Sequence, residues 1–342
     1  MSRVEAARQP RNTLRLKANA TALRSIASVT ELEQALHWAG SRDLAVLPLG
    51  EGSNVVLLPR LDALVLQVRL GGRELLQQDG EEVLLRVGAG ENWHALVAWT
   101  LAQGYCGLEN LALIPGTVGA APVQNIGAYG RELAPFVHAV HTLRCADATP
   151  LVLGRDECQF GYRDSIFKHA LRDQVVITHV DLQLPLRAAT EISYPGLREA
   201  LAQRGVAAPP TPQEVFDAVV ALRRAKLPDP ARQPNVGSFF KNPVLARERA
   251  EALQREYPGL PVFPAGPGLG KLAAAWLIER AGWKGRRHGG VGVHPGHALV
   301  LVNYDAENGA ELLGLAAEIQ ASVQAQFGVA LELEPRVYGE PA

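Results

Sequence analysis

Apolar residues recur along the chain with two periods, one typical of helices and one typical of strands. Leu32, Ala35 and Leu36 lie three or four positions apart, so they predict a helix over residues 31–39 with one buried face. Similar stripes predict helices over residues 94–102, 213–224, 272–281 and 311–327. Short apolar or alternating runs predict strands over residues 44–49, 54–58, 63–68, 83–87, 137–144, 175–182, 291–293, 299–303 and 330–333.

Two stretches divide this pattern into three parts. Residues 71–82, GGRELLQQDGEE, are polar enough to mark a boundary, and residues 185–212 are rich in proline, alanine and arginine. We therefore predict a first lobe over residues 1–70, a second lobe over residues 71–212 with an insertion at residues 185–212, and a C-terminal domain over residues 213–342. Residues 226–243 hold four prolines in eighteen positions, which predicts irregular backbone.

Composition narrows the class of protein. The 342 residues are 47% hydrophobic with a net charge of −1, so we expect neither nucleic-acid nor membrane binding. The basic N-terminus has no apolar stretch of the kind found in signal peptides, and we expect a cytoplasmic protein. Three scattered cysteines, Cys106, Cys145 and Cys158, form no CxxC pair and predict thiols in a reducing compartment, without a metal site.

The stretch from Gly107 to Arg131 is rich in glycine yet apolar, which is unusual for a linker. Small residues let the backbone approach a flat or charged group, and glycine reaches positive φ without steric cost. Two interpretations stay open from this stretch by itself. It is a tight connection between packed elements, or it is a loop that lies against a nucleotide cofactor and offers backbone N–H groups to an anion.

A second glycine-rich stretch, residues 50–54 (GEGSN), lies between two predicted strands. A dinucleotide-binding GxGxxG sequence is followed by a helix and carries a third glycine, and this stretch has neither. It is typical of a hairpin turn, although its Gly, Ser and Asn residues could also donate hydrogen bonds to a diphosphate.

Five polar residues are further candidates, and each also has an ordinary structural interpretation. Arg163 could polarise a carboxylate or pair with its neighbour on the surface. Ser238, in GSFFKNP, could donate a proton or form a turn, but it lacks the GxSxG sequence of a nucleophile. Glu334 at a strand end could be an acid or an exposed edge residue, and Lys226 and Lys284 fit either a site or the surface.

The order of these motifs is informative. GEGSNVVL, GAGENWHALV, the loop at 107–130, GYRDSIFK, RRAKLPDP, GSFFKNP, KLAAAWLIERAGWKG and LELEPRV follow one another, and together they resemble the UDP-N-acetylenolpyruvoylglucosamine reductase family over nearly the whole chain. The resemblance implies an α+β fold with a two-lobed FAD-binding domain of the vanillyl-alcohol-oxidase/PCMH type and a C-terminal α/β substrate-binding domain. The insertion at residues 185–212 resembles the subtype with a tyrosine loop.

The resemblance also implies roles for individual residues. FAD, bound non-covalently, would contact the residues that match the family's cofactor positions, which are Gly50, Gly52, Ser53, Asn54, Gly116, Thr117, Gly119, Asn125 and Gly127. The catalytic positions match Arg163, Ser238 and Glu334, and the substrate contacts match Tyr162, Tyr194, Lys226, Asn242, Lys284 and His297. The family often has glutamine at the position of His297, and a histidine there would make the contact depend on pH.

The implied reaction is the NADPH-dependent reduction of the enolpyruvyl ether of UDP-N-acetylglucosamine to UDP-N-acetylmuramate, a step of peptidoglycan precursor synthesis. A hydride reaches the terminal methylene carbon by way of FAD, so negative charge develops on the carboxylate, where Arg163 and Glu334 would stabilise it. Ser238 would protonate the adjacent carbon, and Lys226 and Lys284 would anchor the diphosphate. We expect a monomer.

Two rival functions follow from the same motifs. A flavin oxidase would often carry a covalent link from FAD to histidine or cysteine, and neither residue occurs in GEGSNV or IPGTVG. A flavin-binding scaffold protein without activity would be expected to lack Arg163, Ser238 or Glu334, and all three are present.

Overall fold

Helices and strands are interspersed along the chain, whose computed structural model describes residues 9–340. No helix within this range is both long and apolar enough to cross a lipid bilayer. The helices are α1 Val29–Gly40, α2 Trp93–Ala102, α3 Pro195–Gln203, α4 Pro212–Lys226, α5 Arg247–Glu256, α6 Ala274–Arg280 and α7 Gly309–Phe327.

The strands are mostly short and belong to several sheets. In chain order they are β1 Asn19–Ile26, β2 Ala45–Leu49, β3 Val55–Leu57, β4 Arg60–Val68, β5 Arg73–Gln78, β6 Glu82–Gly88, β7 Gly127–Ala128, β8 Arg131–Glu132, β9 Val137–Arg144, β10 Pro150–Gly154, β11 Val175–Pro185, β12 Asn235–Ser238, β13 Val244–Ala246, β14 Val262–Pro264, β15 Leu269–Leu272, β16 Arg287–His288, β17 Val291–Val293, β18 Val300–Asn303 and β19 Arg336–Tyr338.

Contacts divide the described residues into two compact units. The first unit contains residues 9–10, 19–52 and 62–225, and the second contains residues 11–18, 53–61 and 226–340. The predicted start of a C-terminal domain at residue 213 falls one residue into α4, yet Val215, Ala218 and Val219 of that helix pack in the core of the first unit. The boundary that the contacts define therefore lies at the end of α4, after residue 225, rather than at its start.

The first unit begins with a three-stranded sheet of order β1-β4-β2, in which β2 and β4 are parallel. Helix α1 buries the predicted apolar face, including Leu32 and Leu36. Its first turn is capped because the Ser28 hydroxyl accepts a hydrogen bond from the Glu31 N–H at 3.2 Å. The helix predicted over residues 31–39 and the strands predicted over 44–49 and 63–68 are confirmed.

A five-stranded antiparallel sheet of order β10-β9-β11-β6-β5 is the larger sheet of the first unit, which also contains α2, α3 and most of α4. Its inner strands include the three predicted over residues 83–87, 137–144 and 175–182. Residues 71–82, predicted as a polar boundary stretch, contain edge strand β5, which belongs to this second sheet, whereas the preceding β4 belongs to the first. Nearly all of β5 is exposed, so its sequence lacks the apolar alternation by which a half-buried strand is identified.

The second unit combines helices with short sheets. A four-stranded sheet of order β12-β18-β17-β16 supplies its central strands, and a three-stranded sheet of order β13-β15-β14 packs against α5. Helix α7 begins at the Asn308 cap, whose side chain accepts from Ala310 N–H at 2.9 Å, and ends at Gly328 in the left-handed region. The predicted helices over residues 272–281 and 311–327 and the strands over 291–293 and 299–303 are confirmed, with shifted ends.

Three local predictions are wrong. The strands on either side of GEGSN do not form a hairpin, because β2 pairs with β4 whereas β3 pairs in parallel with β19. No strand covers residues 330–333, where only Leu333 forms an isolated bridge, to Phe240. Residues 226–243 are not irregular throughout, since β12 runs over Asn235–Ser238.

Candidate active site

Two glycine-rich loops of the first unit meet at Gly50. A Cβ atom on Gly50 would lie 2.3 Å from Thr117 Oγ1, so no larger residue fits there without displacing Thr117. Gly52 and Gly116 have φ angles of +66° and +118°, which side chains rarely tolerate. The glycines are therefore required both by the close approach of the loops and by the turns within them.

The second of these loops is fixed by backbone hydrogen bonds to the start of α2 and to the segment before it. Trp93 N–H donates to Gly116 O at 3.0 Å, and Gly119 N–H donates to Ala89 O at 2.8 Å. A Cβ atom on Gly119 would lie 2.5 Å from the Ala89 Cβ atom. Residues 116–121 thus present only small side chains and backbone along a defined path, apart from the buried Val118. Such a surface fits a dinucleotide, which needs close approach of backbone and small side chains.

Arg163 lies in a turn whose backbone is unusual. Its φ angle is +53°, and its Nη2 atom donates to Gly127 O at 2.8 Å. Its guanidinium carbon lies 5.5 Å from the centre of the Tyr162 ring. The neighbouring carboxylate of Asp164 accepts from His169 at 2.8 Å. The contacts to Gly127 and Tyr162 therefore orient the guanidinium of Arg163. The surface interpretation paired this guanidinium with Asp164 instead.

Asn125 joins the Arg163 turn to the glycine-rich loop. It is buried and left-handed, with a φ angle of +44°. Its Nδ2 atom donates to Gly161 O at 3.0 Å and to Glu132 Oε2 at 2.8 Å, while Oδ1 accepts from Ala134 N–H at 2.9 Å. These three hydrogen bonds hold together segments of the protein, so the side chain of Asn125 supports the loop.

Tyr194 lies at the start of α3, within the predicted insertion, and 41% of its surface is exposed. Its ring meets the Tyr129 ring edge to face at 5.2 Å between centroids. Burial raises the pKa of the Tyr129 hydroxyl. Tyr129 was not predicted as a site residue, because nothing in GAYGR distinguishes a tyrosine in a turn from one that supports a second ring.

The second unit brings together three predicted residues that are far apart in sequence. Glu334 N–H donates to Phe239 O at 3.0 Å, directly after Ser238. On the other side, Asn54 Nδ2 donates to Glu334 O at 3.4 Å, and Arg336 N–H donates to Asn54 O at 3.0 Å. The backbone segments that carry Asn54, Ser238 and Glu334 are therefore hydrogen-bonded neighbours.

A β-bulge positions Ser238. Strand β12 pairs with β18 at Asn235 and Ser238, but the register shifts between them. Gly237 has a φ angle of +72°, and its N–H donates to Asn235 Oδ1 at 2.8 Å. Phe239 and Phe240 follow and are fully buried. Bulges of this kind re-aim a side chain and are common beside active sites.

A basic cluster forms elsewhere in the second unit. Burial lowers the pKa of the His297 imidazole, and the positive charges of His294, Lys226 and Lys284 lower it further. Lys284 Nζ forms an ion pair with Glu279 at 2.9 Å. The predicted substrate residues Lys226, Lys284 and His297 are thus close enough to influence one another electrostatically. Asn242 has a different contact, since its Oδ1 accepts from Ala274 N–H at 3.0 Å at the start of α6.

The cysteines carry no reactive thiolate. All three are unpaired thiols, and burial raises the pKa of Cys145 and of Cys158 to about 12 and also raises that of Cys106. Within residues 9–340 no cluster of three or more His, Cys, Asp or Glu side chains has the geometry of a metal site.

Comparison with known proteins identifies the family. Residues 229–338 match the C-terminal domain model of UDP-N-acetylenolpyruvoylglucosamine reductase, and residues 20–153 match an FAD binding domain. The chain is 46% identical over 330 residues to the UDP-N-acetylenolpyruvoylglucosamine reductase of Pseudomonas putida. The alignment covers 96% of this chain and 97% of that protein. It belongs to the UDP-N-acetylenolpyruvoylglucosamine reductase family.

Other members of the reductase family agree with this assignment. The Paraburkholderia phymatum reductase is 48% identical over 328 residues, with coverage of 96% and 95% of the two chains. The crystal structure of the Thermus caldophilus reductase aligns over 96% of both chains with a TM-score of 0.64 and 26% identity. The predicted α+β fold, with an FAD-binding domain followed by the family's C-terminal domain, is confirmed.

Proposed function

We propose that this member of the reductase family reduces the enolpyruvyl ether of UDP-N-acetylglucosamine to UDP-N-acetylmuramate with NADPH, in peptidoglycan precursor synthesis. The observation that supports it most directly is the convergence of Asn54, Ser238 and Glu334 on adjoining segments of the second unit. Ser238 and Glu334 match the catalytic positions of the family. Because they are far apart in sequence, the fold itself must bring their backbone segments together.

FAD fits the glycine-rich loops of the first unit. When bound there, FAD would supply the redox chemistry, a two-electron path by which a hydride passes from NADPH to the substrate. Gly50, Gly52, Gly116, Thr117 and Gly119 would lie along the cofactor, where the steric limits at Gly50 and Gly119 exclude larger side chains. Ser53, Asn54, Asn125 and Gly127 complete the proposed set. The cofactor is held without a covalent bond.

The catalytic groups act on the charge and the proton that the reaction moves. Hydride arrival at the methylene carbon places negative charge on the enolpyruvyl carboxylate, which Arg163 and Glu334 would stabilise, Glu334 by way of a proton that it carries or shares. Arg163 is suited to this because its contacts to Gly127 and Tyr162 orient its guanidinium before substrate binds. The Ser238 hydroxyl holds the proton for the carbon beside the carboxylate.

The remaining side chains bind the nucleotide sugar. Lys226 and Lys284 supply positive charge for the diphosphate, and His297, whose lowered pKa favours the neutral ring, adds one ring N–H donor. Tyr162, Tyr194 and Asn242 provide further contacts, with Tyr194 exposed at the insertion. Both substrates are phosphorylated anions, which do not cross membranes unaided, so we place the enzyme in the cytoplasm. We expect it to act as a monomer.

The decisive assay follows NADPH oxidation by the purified protein with and without the enolpyruvyl nucleotide sugar. We expect oxidation that depends on the sugar, one NADPH per sugar, and a product two hydrogens heavier by mass spectrometry. Equal NADPH oxidation in the absence of the sugar would indicate an oxidase instead, and consumption without the heavier product would refute the proposed reaction.

A further inference from the structure

Glu51 stands between the two glycines of the first loop and is exposed to solvent. Its Oε1 atom accepts a hydrogen bond from Asn92 Nδ2 at 2.8 Å, and its Oε2 atom accepts from Gly116 N–H at 3.1 Å. One carboxylate therefore connects the loop after β2 with the start of α2 and with the second glycine-rich loop. The sequence alone gave Glu51 no role, since an exposed glutamate in a turn is unremarkable.

Each of the two donors is itself fixed. Asn92 is the cap of α2, and its Oδ1 accepts from Ala95 N–H at 2.9 Å. Gly116 accepts from Trp93 N–H at 3.0 Å through its carbonyl. The carboxylate of Glu51 thus contacts groups held by regular structure. Its hydrogen bonds fix the position of residues 50–52 relative to those groups.

The contact at Gly50 limits the separation of the same two loops in the opposite direction. The Gly50 backbone is in van der Waals contact with Thr117, so the loops cannot move closer without a clash. The Glu51 hydrogen bonds prevent them from moving apart. Steric contact and hydrogen bonding together define one separation between residues 50–52 and 116–117.

A carboxylate is electrostatically unfavourable beside a site for a diphosphate, because like charges repel. Backbone N–H groups and small residues would serve that site without an acid. The Gly116 N–H, moreover, donates to Glu51 and is used within the protein. An acid at this position is therefore better explained by what it holds together than by direct contact with the cofactor.

We propose that Glu51 is a positioning residue that fixes the spacing of the two loops for the diphosphate of FAD. This inference rests on the proposed function, because it takes FAD as the ligand of these loops. Glu51 touches neither reacting atom nor proton in this account. Its contribution is to pre-organise the loops, which lowers the ordering cost of cofactor binding.

The test measures the dissociation constant of FAD for the full-length chain by flavin fluorescence. Glu51→Ala loses both hydrogen bonds, and we expect binding about 10 to 100-fold weaker. Glu51→Gln retains one acceptor oxygen for Gly116 but presents an amide to Asn92, so we expect an intermediate value. Glu157→Ala is the matched control, because the Glu157 carboxylate also accepts from the backbone N–H of a glycine, Gly154 at the end of β10, at 2.8 Å. We expect FAD affinity within about twofold of wild type in this control.

The outcomes separate this inference from the proposed function. Failure of the wild-type chain to bind FAD would refute the proposed function itself. Wild-type binding with equal affinity in Glu51→Ala would refute only the role of Glu51. Tighter binding in Glu51→Gln than in wild type would also overturn it, because charge repulsion would then outweigh positioning. If Glu51→Ala does not fold, the ordering of wild type, Glu51→Gln and Glu157→Ala still decides.

Discussion

Ser238 follows a left-handed glycine and precedes two buried phenylalanines. The order of motifs predicted its role, but how the side chain is positioned could not be predicted from the motif. The bulge depends on the Asn235 side chain and on pairing with β18, which is more than fifty residues away in sequence. The density of prolines before it indicated irregular backbone, and tertiary pairing overrides that local tendency.

We predict that Ser238→Ala affects the two half-reactions unequally. Bleaching of the flavin by NADPH needs no proton from Ser238 and should stay within about tenfold of wild type. Return of the flavin colour with the enolpyruvyl sugar should slow by ~10²–10⁴-fold, the usual effect of removing a positioned acid. Ser238→Cys should recover part of this rate, since a thiol can also donate a proton. Stopped-flow absorbance measures each step, and equal slowing of both would instead indicate a change in the shape of the pocket.

The neighbours of Lys284 in the fold could not be predicted from the sequence. We predict that Lys284→Ala weakens binding of the UDP-sugar about tenfold or more, because a charge-assisted contact is lost, while flavin reduction by NADPH changes little. The variant should also raise the pKa of His297, since a nearby positive charge disappears. Calorimetry and NMR titration of the imidazole measure the two effects.

The matched control for Lys284 is Lys17→Ala, which removes a second-unit lysine that also pairs with a glutamate, Glu307. It should change neither sugar affinity nor the pKa of His297. Unchanged sugar affinity in Lys284→Ala would remove this lysine from the proposed site.

At the scale of elements, the sequence predicted most of the buried strands and amphipathic helices, but it missed the half-buried β1, in which Ala20, Ala22 and Ile26 are buried, and several exposed elements. Strand β5 is nearly all exposed, helix α5 buries only Ala250 and Leu253 within a mostly charged sequence, and α3 lay in a stretch interpreted only as an insertion. The glycine-rich loops were recognised as unusual, whereas their mutual contact was not predictable. The loops come into contact because Gly50 has no Cβ atom. The carboxylate of Glu51, between two glycines, also joins them.

Helix α2 and the loop that follows it are joined by a pH-sensitive contact. His94 Nδ1 accepts from Leu113 N–H at 3.1 Å, so the ring must be neutral at that nitrogen. Burial lowers the pKa of His94, and Arg224 and Arg223 lower it further. Because the folded pKa lies below the unfolded value, about 6.5, the unfolded chain binds the proton more readily. Stability from this site is therefore present above that value and decreases as the pH falls toward the folded pKa.

We predict that the Leu113 amide loses protection from hydrogen exchange as the pH is lowered below about 6.5. His94→Gln should reduce this pH dependence, since a glutamine oxygen can accept the same hydrogen bond and carries no proton to titrate. The control His169→Gln changes an exposed histidine paired with Asp164 and should behave as wild type at Leu113. Identical pH dependence in His94→Gln and wild type would contradict the assignment of the effect to His94.

At the scale of the whole molecule, two compact units each carry part of the residue set that the motif order predicted. The first unit holds Arg163, Tyr194 and the cofactor glycines, and the second holds Ser238, Glu334 and the basic cluster. The sequence divided the chain at residue 213, because composition changes there. Helix α4 packs in the first unit through its buried face. The local composition does not reveal which unit that face contacts.

The central claim is that this chain carries electrons from NADPH to an enolpyruvyl nucleotide sugar by way of FAD. It is tested most directly by the absorption spectrum of the purified wild-type protein under anaerobic conditions. We predict a flavin spectrum that bleaches with one equivalent of NADPH and returns with one equivalent of the sugar, and FAD released intact by acid denaturation. A protein supplied with FAD that stays colourless, or a bleached flavin that the sugar does not restore, would contradict the account.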